Sequence, residues 1–118
     1  MIRAFLRSKI HRATVTHVDV EYEGSLSLDE DLMKVAGLAP YERIDVWNVA
    51  NGERFSTYII QGKKGSRQVG VYGAAGRKVR VGDTIIIAAY AYLEDSEVEF
   101  FTPKIVVLEE GNRVKEVR

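Results

Sequence analysis

The chain has 118 residues, 46% hydrophobic and 29% charged, a size at which one domain buries roughly two thirds of its unfolded surface in a single modest core. Seventeen Lys plus Arg balance seventeen Asp plus Glu, so no long-range field draws it to nucleic acid or to an anionic membrane, and any charge-based function must be local. The absence of cysteine excludes disulfide staples, thiolate metal sites and a cysteine nucleophile together.

Met1-Ile-Arg-Ala-Phe-Leu-Arg7 lacks the apolar region of a signal peptide, and the longest apolar stretch, Thr84 to Leu93, is half of the roughly 20 residues that span a bilayer. The expectation is a soluble, cytoplasmic protein of one domain, residues 1–118. From Lys9 to Tyr22 the chain is rich in Val, Thr and Ile. Thr14, Thr16, Val18, Val20 and Tyr22 would share one face of a long strand, or of two. Gly24-Ser25 then forms a glycine turn ahead of a short helix. Asp29 caps Glu30 to Ala36, Leu28 and Leu32 pack across its first turn, and Gly37 supplies the left-handed stop.

Arg43 to Val49 and Glu53 to Gln61 flank Asn51-Gly52, which predicts a hairpin with a type I′ turn. Further strands are expected at Gln68 to Tyr72, Thr84 to Leu93 and Lys104 to Glu109, with turns at Gly82-Asp83 and Gly111-Asn112. The tail from Glu109 to Arg118 reads as a frayed end. A mainly β chain of this size avoids exposed edges by closing on itself, so a small closed barrel with one or two short helices is the predicted architecture.

Taken singly, the polar residues carry ordinary explanations beside functional ones. Gly24-Ser25 is a common loop dipeptide. Lys9 and His11, two apart, would project from one face of a strand, where solvated side chains need no function. His17 has no second ligand at metal spacing and reads as a surface or hydrogen-bonded histidine. Arg54 could fork onto a substrate carboxylate or pair with a cross-strand acid. Tyr22 and Tyr58 are packing residues by default and proton donors by exception, and Trp47 reads as core or interface. Gly73-Ala74-Ala75-Gly76 keeps side chains away and lets backbone amides approach a ligand, but no Gly-Lys-Ser or Gly-Lys-Thr follows to make a phosphate loop.

Order and spacing say more than the single residues. The run Lys9-Ile-His11-Arg-Ala-Thr-Val-Thr-His17, then Tyr22-Glu-Gly24-Ser25, then Ile44 through Trp47, Arg54 and Thr57 to Tyr58, then Gly73-Ala-Ala75, closely resembles the aspartate 1-decarboxylase family from Met1 to about Phe101. The resemblance implies a double-ψ β-barrel assembled as a homotetramer. It implies a proenzyme that cleaves itself into residues 1–24 and 25–118, and a covalent pyruvoyl cofactor made from Ser25, with neither pyridoxal phosphate nor metal. The pyruvoyl ketone would form a Schiff base with L-aspartate and release carbon dioxide and β-alanine, for pantothenate biosynthesis.

The residues carried over by this resemblance are Gly24, Ser25 and Thr57 for processing, with Ser25 and Tyr58 for catalysis. For substrate they are Lys9, His11, Tyr22, Trp47, Arg54, Thr57 and the Gly73-Ala74-Ala75 backbone. Charge logic assigns Arg54 and Lys9 to the retained β-carboxylate, because a cation on the departing α-carboxylate would stabilise the ground state more than the transition state. Arg54 and Tyr58 lie about 13 Å apart on an extended strand, which points to sites shared between subunits. One departure is Tyr72, where the family usually has Asn; a phenol there should alter processing or substrate preference. Two other readings stand beside this one: a pyruvoyl enzyme for another amino acid, and a β-barrel binding module that never cleaves.

Overall fold

A computed structural model describes all residues, 1–118. Nine strands form one continuous ladder: β1 (Ile2–Thr14), β2 (His17–Asp19), β3 (Ser25–Asp29), β4 (Arg43–Asn48), β5 (Arg54–Gly62), β6 (Val69–Tyr72), β7 (Thr84–Glu94), β8 (Lys104–Glu109) and β9 (Arg113–Val117). Their spatial order is β2-β6-β3-β5-β4-β7-β1-β8-β9. Three pairs are parallel (β1 with β8, β2 with β6, β3 with β5) and the other five antiparallel, so connections must cross the sheet. The mainly β expectation holds, and two short α-helices accompany the strands, α1 (Glu30–Ala36) and α2 (Asp95–Val98).

Alternation decides what faces inward. Ile44, Val46 and Asn48 on β4 are buried while Arg43, Asp45 and Trp47 point the other way. Leu26 and Leu28 on β3, Val69 and Val71 on β6 and Ile85 and Ile87 on β7 meet Ile10 and Ile59 in a cluster of 20 buried residues. Backbone hydrogen bonds do not close the sheet, an arrangement compatible with a barrel. Side-chain bonds draw its two ends together instead: the buried Asn112 amide accepts from Thr14 N at 2.7 Å and donates to Thr14 O at 2.9 Å and to Arg67 O at 3.0 Å.

The helix reads as its sequence does. Asp29 Oδ1 accepts from Asp31 N, and Gly37 ends α1 at φ 70. The same buried carboxylate also accepts from Gly65 N at 2.9 Å and Arg67 N at 2.7 Å, so one side chain ties α1 to the β5–β6 loop.

Four local expectations need correction. β1 begins at Ile2, and β2 is only His17–Asp19. The chain changes partners between them, with Val15 N donating to Asp83 O and Thr16 N to Val69 O. That break interrupts the proposed common face of Thr14 to Tyr22 and leaves Val15 in the core and Tyr22 58% exposed. The β4–β5 hairpin forms, but Gly52 alone is left-handed and its N–H donates to Asn48 O, so the turn is longer than type I′. The C-terminal tail is ordered rather than frayed. Gly111 and Asn112 are both left-handed, at φ 75 and 56, and turn the chain so that β9 pairs antiparallel with β8. Every residue of β9 is exposed, so no apolar alternation marked it.

Candidate active site

Ser25 is the first residue of β3 and faces Tyr72 of β6 as its ladder partner. On the other side β3 runs parallel to β5 with Leu26 opposite Ile59. Continued outward from that pair, the register would set Ser25 level with Tyr58, and Gly24, just ahead of β3, level with Thr57. Leu26 and Leu28 point into the core, which by alternation turns Ser25 and Ser27 to the outer face with Tyr58, Ile60 and Tyr72. The serine is only 2% exposed. Its hydroxyl has one long contact, donating to Glu23 O at 3.4 Å, so a buried nucleophile is left weakly held.

Gly73 explains how the turn before Ser25 is held. A Cβ there would stand 2.5 Å from Gly24 Cα and 2.8 Å from Gly24 N, and Gly73 is left-handed at φ 75. Only glycine permits that contact of two backbones. Gly24 itself has no left-handed φ, so the demand for glycine falls on Gly73, just past the end of β6, rather than on the Gly24 backbone. Gly73–Lys78 continues as a 3₁₀ segment with Ala74 exposed and Ala75 half-buried.

Around Ser25 the rings of Tyr22 and Tyr72 meet edge to face with centroids 5.3 Å apart. They border an open cleft of about 350 Å³ with Asp19, Ser27 and Ile60. Tyr58, 39% exposed, stands beside Tyr41 at a ring separation of 6.4 Å. Ser27, Ile60 and Asp19 escaped the sequence reading. Their only signal was that Ser27 and Ile60 lie two residues beyond Ser25 and Tyr58 and so share their face.

The cationic residues lie elsewhere on the outer face. Arg54 pairs with Trp47 across β4–β5, its guanidinium 4.7 Å from the Trp47 ring centroid. Lys9 lies on β1 opposite Ala88 and Ile105. Neither cation forms an ion pair within the chain, so the cross-strand acid that could have explained Arg54 is missing. His11 follows on β1 opposite Val107, and its Nδ1 is buried without a partner. Burial pushes its pKa below 6.5, and the positive charges of Lys9, Arg12 and Arg118 push it further in the same direction. His17 is exposed, with Nδ1 2.7 Å from Thr16 Oγ1, the hydrogen-bonded surface histidine that was expected.

The predicted residues thus fall into two groups. Ser25, Gly24, Tyr22, Thr57, Tyr58, Tyr72 and Gly73 come together about the β3–β5–β6 end. Lys9 and His11 lie on β1, four strands from β3 in the order β3-β5-β4-β7-β1, or about 19 Å round the sheet at the usual strand spacing. Arg54 and Trp47 lie between, at the far end of the β4–β5 ladder from Tyr58.

Comparison with known proteins shows the family. The family model described as aspartate decarboxylase matches residues 1–115. The chain is 53% identical over 118 residues to a protein of Ralstonia nicotianae named aspartate 1-decarboxylase, covering 100% of this chain and 98% of that one. Proteins of the same name from Polaromonas naphthalenivorans and Burkholderia vietnamiensis are 52% and 51% identical, over 100% and 98% of this chain and 93% and 91% of theirs. A match of that length and closeness, spanning both groups of site residues, makes this chain a member of the aspartate decarboxylase family.

Proposed function

We propose that this protein decarboxylates L-aspartate to β-alanine and carbon dioxide, for pantothenate and coenzyme A synthesis, after cutting itself between Gly24 and Ser25. The observation that carries the reading is the Gly73 backbone pressed on Gly24 beside a buried, weakly held Ser25 hydroxyl. A nucleophile without a strong partner adjoins a residue whose Cα and N are packed closely against its neighbour, and such restraint favours an intramolecular attack.

Ser25 Oγ loses its proton and attacks the Gly24 carbonyl carbon. Collapse of the adduct breaks the C–N bond as that proton passes to the Ser25 nitrogen, so the acyl group moves from nitrogen to oxygen. Thr57, level with Gly24, is the candidate donor to the oxyanion, a role worth about 3 kcal/mol. Loss of the Ser25 Cα proton expels the Gly24 carboxylate and leaves dehydroalanine at position 25. Addition of one water releases ammonia and leaves a ketone at the head of residues 25–118.

A pyruvoyl group at this place fits its surroundings. The position is 2% exposed, lies between Tyr72 and Tyr58, and adjoins the cleft of Tyr22 and Ile60. When present, such a ketone supplies the electron sink for the bond to the departing carboxylate, with neither pyridoxal phosphate nor metal. The chain's own side chains bind and protonate. Arg54, its face covered by Trp47, grips the retained β-carboxylate with help from Lys9. His11 adds a neutral ring beside Lys9, and Gly73, Ala74 and Ala75 offer backbone amides. The Tyr58 phenol returns a proton to the substrate carbon that lost carbon dioxide.

Arg54 and Tyr58 stand about 13 Å apart along β5, a long reach around one four-carbon substrate within a single chain. The active form is a cytoplasmic homotetramer. In it Lys9, His11, Trp47 and Arg54 of one subunit serve the Ser25 and Tyr58 centre of its neighbour.

Intact mass of the purified protein tests the first half: two fragments, residues 1–24 and a blocked 25–118, against one whole chain for Ser25→Ala. Tetramers refolded from mixed Arg54→Ala and Tyr58→Phe subunits test the second. Recovered release of carbon dioxide from aspartate supports the shared site. A fully active monomer, or an intact Ser25 in active protein, overturns the reading.

A further inference from the structure

Tyr72 is the ladder partner of Ser25, yet its hydroxyl points away along β6. A Cβ on Gly70 would lie 2.6 Å from Tyr72 Oη and 2.8 Å from Tyr72 Cζ. The ring is therefore folded back along its own strand, over Gly70 and towards Gln68. Gln68 Nε2 donates to Tyr72 Oη at 3.2 Å and to Ser27 Oγ at 3.0 Å. Gly70 is the ladder partner of Ser27, and Tyr72 is the partner of Ser25. The phenol oxygen thus sits one side-chain repeat, about 7 Å, along the ladder from the reacting bond. Its ring edge meets Tyr22 and walls the cleft.

Gly70 has no left-handed φ, so its own backbone conformation does not demand glycine. The space above it does. We propose that Gly70 and Gln68 are positioning residues that hold the Tyr72 phenol back along β6, leaving the Gly24–Ser25 bond clear and the Tyr22 ring in place. The inference rests on the self-cleavage proposed above. A ring denied its place over Gly70 has to lean across to β2 or β3 or towards the Gly73 end of its own strand, and two of these directions, β3 and the Gly73 end, lead to Ser25 and Gly24. The Tyr72 phenol and a side chain at 70 are then mutually exclusive, whereas a short residue at 72 tolerates both.

The test separates this effect from simple loss of fold. Gly70→Ala should slow self-cleavage of newly made chain by about a hundredfold, the cost of displacing reacting groups by an ångström. Adding Tyr72→Asn to that variant should return cleavage to the rate of Tyr72→Asn alone. Gln68→Leu, which removes the latch without adding bulk over Gly70, should fold normally and slow cleavage by a few-fold, roughly the loss of one hydrogen bond.

In uncleavable Ser25→Ala protein, nuclear Overhauser contacts between the Tyr72 ring and Gly70 Hα should be present, and Gly70→Ala should shift the ring contacts towards Gly24. That readout needs no cleavage, so failure of the self-cleaving reading shows instead as an uncleaved parent with these ring contacts intact. A folded Gly70→Ala that cleaves at the parent rate overturns the proposal, as does a double variant as slow as Gly70→Ala. Ring contacts unchanged by Gly70→Ala overturn it as well.

Discussion

Alanine at position 73 should damage the protein twice over, and a second glycine isolates why. Gly73 and Gly52 have nearly the same left-handed backbone, φ 75 and 77, but a Cβ on Gly52 meets nothing within 4 Å, while one on Gly73 meets Gly24 Cα at 2.5 Å. Both substitutions carry the left-handed penalty for an L-residue, about 1–2 kcal/mol. Gly73→Ala alone must also open an ordinary carbon–carbon contact of about 3.5 Å, which means moving one backbone by roughly 1 Å. Overpacking of that kind costs a further 1–3 kcal/mol or so.

Urea denaturation should therefore find Gly73→Ala about 1–3 kcal/mol less stable than Gly52→Ala. The displaced atoms, Gly24 Cα and N, belong to the residue whose carbonyl carbon Ser25 is proposed to attack, so the same 1 Å shift should slow self-cleavage by about a hundredfold, measured by intact mass against time after synthesis. Gly52→Ala should cleave at the parent rate. Equal stability of the two variants, together with equal cleavage, would refute the claim that Gly73 is pressed on the scissile turn.

Asp29→Ala should cost about 3 kcal/mol in urea unfolding, since it removes a helix cap and strands the N–H groups of Gly65 and Arg67. Tyr58→Phe should leave self-cleavage intact and lower kcat for aspartate by about a hundredfold or more, seen as intact fragments with weak carbon dioxide release. His11 supplies a pH signature. Its folded pKa lies below the unfolded 6.5 because burial and the charges of Lys9, Arg12 and Arg118 disfavour the imidazolium. The unfolded state then binds more protons, and the stabilisation is full above pH 6.5 and lost as pH falls through the folded pKa. His11→Asn should flatten the fall of stability below pH 6.5, measured by thermal unfolding across pH 5 to 8, a range of about three units around the imidazole value.

Local chemistry was legible wherever neighbouring residues settle it. Asp29 and Gly37 mark the two ends of α1 because a cap and a left-handed stop act within one turn. Lys104–Glu109 and the β4–β5 hairpin follow from alternation and turn residues. The Gly24-Ser25 dipeptide and the run around Trp47, Arg54 and Tyr58 carried the family likeness, which the match over residues 1–115 bears out. Alternation also set which side chains share a face, as for Ser25 and Ser27 or Gly70 and Tyr72.

What alternation cannot state is which strand lies alongside. That choice brings Tyr72 opposite Ser25, 47 positions along the chain by subtraction of their numbers, and presses Gly73 on Gly24. It also hides β9, whose exposed residues show no apolar period because backbone bonds to β8 alone hold it. It separates Lys9 from Ser25 by three intervening strands, β7, β4 and β5. The physical reason is that a strand carries the same unpaired N–H and C=O groups along both edges, and only burial of its apolar face against the rest of the core selects its neighbours.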